Sequence, residues 1–87
     1  LAGNFEAQVH ESFRLMAASM ALSGAKLADL VTMTVFISDA RHGDRFTALR
    51  AGYFPDGNYP ASAMLTITGF AQPDMMVEIQ GIAVVAE

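Results

Sequence analysis

LVTMTVFIS, residues 30 to 38, is the stretch whose reading decides the fold. It is rich in β-branched residues and alternates, with Val31, Met33, Val35 and Ile37 facing one way and Thr32 and Thr34 the other. That is the period of a β-strand with one apolar face. An apolar strand face must be covered by a second layer, and the sequence on either side supplies helices of the right character. Upstream, Phe5, Val9, Phe13, Met16 and Met20 recur at helical spacing behind Asn4, a good N-cap, and Gly24 follows as a helix terminator. Downstream, Asp39 can cap a second helix from about His42 to Phe54, with Phe46, Leu49, Tyr53 and Phe54 on its inner side.

PDGNYP, residues 55 to 60, cannot continue a helix and predicts a turn. A second strand follows from Ala61 to about Thr68, separating Ala63, Leu65 and Ile67 from Ser62, Met64, Thr66 and Thr68. The loop GFAQPD leads to a third strand, Met75 to Val85, with Val77, Ile79, Gly81, Ala83 and Val85 opposite Met76, Glu78, Gln80, Ile82 and Val84. The order α-β-α-β-β predicts an α/β (α+β) two-layer sandwich, a mixed sheet with both helices on one face. The less apolar strand faces would then share the other side. Thr32, Thr34, Ser62, Thr66, Glu78 and Gln80 would lie there among Met64, Met76, Ile82 and Val84. A surface too apolar for bulk water and too polar for a dry core fits a subunit interface holding a small wet cleft.

Composition points the same way. In 87 residues, 53% are hydrophobic and 16% charged, against roughly 25% charged in a typical soluble domain. So small a chain buries a limited share of its surface alone. The net charge of −4, with five basic residues in no continuous run, argues against a nucleic-acid partner. The absence of cysteine excludes disulfides, cysteine-based metal sites and thiol nucleophiles. No stretch reads as a secretory signal or is long enough to span a bilayer, so a soluble, cytoplasmic protein with no membrane partner is expected. An opening at Leu1 directly before a helix leads us to expect an upstream segment outside this sequence.

Few residues carry a chemical signal. His10 and His42 have no acidic or histidine partner at ligand spacing, and no P-loop, G-x-S-x-G or H-E-x-x-H occurs, so no metal and no cofactor are expected. RHGDR, residues 41 to 45, reads as a solvated first helical turn. Glu78 is different, because a carboxylate amid an aliphatic strand needs a partner or water. It is the candidate for orienting water or exchanging a proton, or else a structural carboxylate. Ser62 has no recognisable base and is no evident nucleophile.

Four segments together resemble the RidA family, the YjgF-type reactive-intermediate deaminases also labelled endoribonuclease L-PSP. These are the first helix with Gly24 and LADLVTMTVFISD, the short helix ending in AGYF, the PAS segment after Tyr59, and VEIQGIAVV. The resemblance implies a chorismate-mutase-like fold and a homotrimer with its sheets turned inward. It also implies a hydrolase that deaminates small imines or enamines without metal or cofactor. On that pattern Glu78 is the water-positioning catalytic residue and a ligand-binding one. Ser62, also ligand-binding, stands where the family carries an arginine that clamps the substrate carboxylate. One domain over residues 1–87 is implied, lacking the N-terminal strands usual in the family.

Overall fold

The computed structural model describes residues 3–85. Helix α1 spans Phe5–Ala21, and Asn4 caps it by accepting a hydrogen bond from the Ala7 amide at 3.0 Å. The helix ends as the sequence predicts. Gly24 takes φ +76°, and the amides of Gly24 and Ala25 donate back to Ala21 and Met20. Strand β1 is Leu30–Ile37, α2 is Gly43–Arg50, β2 is Ala61–Thr66 and β3 is Val77–Ala83.

The second helix is shorter than expected. Single 3₁₀ turns, Ala40–His42 and Ala51–Tyr53, flank α2, and Asp39 caps the first by accepting from the Arg41 amide at 2.9 Å. Gly57 supplies the positive φ, +75°, that the turn at 55–60 requires.

The sheet is mixed, in the order β2-β1-β3, with β1 parallel to β2 and antiparallel to β3. Both helices pack on one side of it, and α1 lies over β3 and against α2. Phe5, Val9 and Phe13 from α1 meet Met33, Val35 and Ile37 from β1, Val77 from β3, and Phe46 and Phe54. Phe13 anchors this core, fully buried and stacked on Tyr53 with ring centres 4.2 Å apart.

Register corrects two expectations about faces. A bulge in β1 leaves one unpaired residue between Leu30 and Thr32, so Leu30 is buried and Val31 turns outward at 46% exposure. In β2, Ser62, Met64 and Thr66 pair with Met33, Val35 and Ile37, which are core residues. Side chains of paired residues project from the same face. Ser62, Met64 and Thr66 therefore share the helix side, where Met64 Sδ lies 3.4 Å from the position a Cβ would take on Gly43. The apolar set, Ala61, Ala63 and Leu65, goes to the open side. This edge strand lies at the margin of the helix layer, and all six of its residues are exposed.

Candidate functional site

The open side of the sheet is built by alternate residues of all three strands. Phe36 pairs with Glu78, Thr34 with Gln80 and Thr32 with Ile82, and the β2 set completes the surface on the other flank. Leu65 is 49% exposed and Ile82 64%. Two large aliphatic side chains facing water across a sheet of hydroxyls, an amide and one carboxylate form an unusually apolar open face for a monomer. Met76, assigned from the sequence to this side, precedes β3 and packs instead against the core.

Glu78 sits on β3, only partly exposed, and its Oε2 accepts a hydrogen bond from Gln80 Nε2 at 3.3 Å. It borders a cleft of about 400 Å³ between α1 and β3, with Ser12, Ser19, Met16 and Ile79 among the other walls. A second cleft of about 410 Å³ adjoins Gln8, Glu11 and Asp74. Gln8 ties that region down. Its amide donates to the Asp74 carbonyl and accepts from the Met76 amide, both at 2.8 Å, which fixes the approach to β3 and hence the position of Glu78.

Ser62 is exposed on β2 and borders neither cleft. It and Glu78 are not brought together within one chain. They lie two strands apart and three residues out of step, about 14 Å between backbones at ordinary strand spacings, and they project from opposite faces of the sheet. No small ligand could touch both in a single copy.

The ionisable residues near these elements divide sharply. Arg14 pairs with Glu11, Arg41 with Asp39 and Arg45 with Glu6, so the RHGDR cluster is a solvated turn whose two arginines are both paired, Arg41 locally and Arg45 across to α1. The Arg41 side chain, and after it the Arg41 backbone amide, hold the Asp39 carboxyl far below the usual carboxylate range. Arg50 has no carboxylate partner among the described residues. Its guanidinium lies 4.6 Å from the centre of the Tyr59 ring, and its Nε is buried with no acceptor among those residues. Sequence reading missed this stack, although a tyrosine held between a turn and Pro60 was the available signal.

His10 Nδ1 is hydrogen-bonded to the Tyr53 hydroxyl, whose own ionisation burial pushes up, and His42 stacks on Phe5 at 4.3 Å. Among the described residues no group of three or more histidine and carboxylate side chains could hold a metal, and no helix is long and apolar enough to cross a membrane.

Comparison with known proteins adds a family and a set of folds. The model of the endoribonuclease L-PSP family matches residues 1–85. No curated protein matches the chain. Among solved structures, a member of the YjgF/YER057c/UK114 family from Mycobacterium tuberculosis superposes with a TM-score of 0.89 at 26% identity, over 94% of this chain and 69% of that one. The YjgF gene product of Escherichia coli gives 0.85 at 27% identity, over 94% and 65%. A Rid-family protein from Yersinia pestis gives 0.92 over 98% and 67%, and at 22% identity it shows likeness of fold alone. This chain spans about two thirds of the length of those structures.

Proposed function

Because this chain belongs to the endoribonuclease L-PSP family, we propose that copies of it assemble, as a homotrimer, around a small-molecule cleft that hydrolyses an imine, enamine or related carbonyl compound. Glu78 is the group that orients water at the reacting carbon, and Ser62 lines the same cleft from a neighbouring copy. The observation that carries this reading is the separation of the two residues. At about 14 Å and on opposite faces of one sheet, they can meet a common ligand only where β2 of one chain approaches β3 of another.

The open face supports the same arrangement. Leu65 and Ile82 stand about half and two thirds exposed there, and β2 turns its alanines and leucine toward that side instead of toward the helices. Covering such a face removes apolar surface from water and gives a 9.3 kDa chain the burial it lacks alone.

At the reacting carbon the chemistry is that of a positioned carboxylate. Glu78 accepts a proton from water as the water adds to the carbon of the protonated imine, then returns it to the nitrogen of the resulting carbinolamine, whose C–N bond breaks as the hydroxyl becomes the carbonyl and its proton leaves with the nitrogen as ammonium. Such a group typically contributes 10²–10⁴-fold in rate. On the family pattern, a serine at 62 gives one neutral hydroxyl where a guanidinium would give a charged fork, a loss of about 2–4 kcal/mol in carboxylate binding. A ligand whose carboxylate adjoins the imine carbon is therefore held weakly, and specificity shifts.

A non-catalytic trimer that binds a small metabolite is the second reading, favoured by the Gln80 amide that already occupies one oxygen of Glu78. Ribonuclease action fits poorly with a net charge of −4. The test is a coupled assay that generates 2-iminopropanoate and neutral imines in situ. Loss of hydrolysis in Glu78→Ala, with higher activity on 2-iminopropanoate in Ser62→Arg, is the expected result. Turnover unchanged in both variants would refute the reading.

A further inference from the structure

Three of the four arginines are matched to a carboxylate in their own chain, and Arg50 has none among the described residues. It is not loose, however. Its guanidinium rests over the Tyr59 ring, and Nε is buried with no acceptor among the described residues, while the side chain remains partly open to solvent. A guanidinium stacked on a ring and matched to no carboxylate among the described residues keeps its outer N–H groups aligned to grip an anion with two bonds. Tyr59 leads through buried Pro60 and exposed Ala61 directly into Ser62, which places this fixed cation at the mouth of β2, roughly 10 Å of extended chain before the serine.

Resting on the cleft reading above, we propose that Arg50 is the anion-binding residue of this protein. It takes the carboxylate of a ligand whose acid group stands several bonds away from its carbonyl or imine carbon. The charge is displaced along the chain from Ser62, and the substrate class shifts from 2-imino acids to longer ones with a distal carboxylate.

The experiment is a calorimetric titration of the intact protein with three stable carbonyl probes: pyruvate, 4-oxopentanoate and the neutral 4-oxopentanamide. We expect 4-oxopentanoate to bind at least tenfold more tightly than either of the others. Arg50→Gln should erase that preference, and Arg50→Lys, which keeps charge without the fork, should retain part of it. Thermal melts of both variants separate loss of binding from loss of folding. Should Arg50→Gln misfold, Tyr59→Leu, which removes the ring beneath the guanidinium, is expected to cut the preference severalfold. Equal binding of the three probes to the natural protein, or a preference untouched by Arg50→Gln, overturns the assignment. In either case, imine hydrolysis that still depends on Glu78 leaves the cleft reading standing, and hydrolysis indifferent to Glu78→Ala removes both.

Discussion

Replacing Ile82 with lysine attacks the open sheet face at its most exposed aliphatic residue within a strand. Ile82 is 64% exposed in the single chain and pairs with Thr32 on the side away from the helices. Fully burying an isoleucine side chain contributes about 1.5–3 kcal/mol. Covering the exposed two thirds is then worth about 1–2 kcal/mol per copy, or about 3–6 kcal/mol in a trimer. At about 1.4 kcal/mol per decade, Ile82→Lys should weaken the overall association constant by roughly 10²–10⁴, and the cost of desolvating three ammonium groups adds to that. Sedimentation velocity over a range of concentrations reads the change directly. The isolated fold should survive, because the side chain points away from the helix layer, and far-ultraviolet circular dichroism checks this. A variant that sediments as the natural protein does at every concentration would refute the claim that this face is covered.

Gly81 tests the helix side. A Cβ there would lie 2.7 Å from Leu30 Cδ2 and 3.3 Å from the Thr32 carbonyl oxygen. Gly81→Ala should cost about 1 kcal/mol or less, since the Leu30 methyl can swing aside, whereas Gly81→Val should cost about 2–3 kcal/mol in urea unfolding. Asp39 tests the cap of the 3₁₀ turn before α2. Its ionisation is held low mainly by the Arg41 side chain, so its contribution to stability is present above the ordinary carboxylate pKa of about 4 and fades as the pH falls below it. Asp39→Asn, which keeps a capping oxygen but no charge, should lower the melting temperature at neutral pH, and the gap should narrow progressively as the pH falls below about 4. The gap should also narrow in high salt, because the pair is exposed.

The helices and the core were legible in the sequence because each signal is local. Asn4, Gly24 and the stripe from Phe5 to Met20 are read within one element, and the structure builds α1 from them. Alternation likewise identified Met33, Val35 and Ile37 as core. What could not be read is which set of a strand's residues faces the helices. That is settled by pairing, and a bulge at Val31 or a parallel register between Ser62 and Met33 leaves no trace in either strand's own pattern. Hydrophobicity even pointed the wrong way in β2, where the more apolar set turns to the open face. Glu78 stood out because a charge within an aliphatic strand is conspicuous by itself. Arg50 did not, because its distinction is its stack on Tyr59 with no carboxylate beside it among the described residues, and that is a property of three dimensions.

The central claim is that Ser62 of one copy and Glu78 of the next face a common cleft. The natural sequence contains no cysteine, so a Ser62→Cys, Glu78→Cys double variant carries two unique thiols, which lie too far apart and on opposite faces to form a disulfide within one chain. Treated with a short bismaleimide cross-linker and run on a denaturing gel, it should give covalent dimers and a closed trimer, while either single variant stays at the mass of one chain. A double variant that also remains at that mass, in a preparation whose thiols have reacted, would contradict the account.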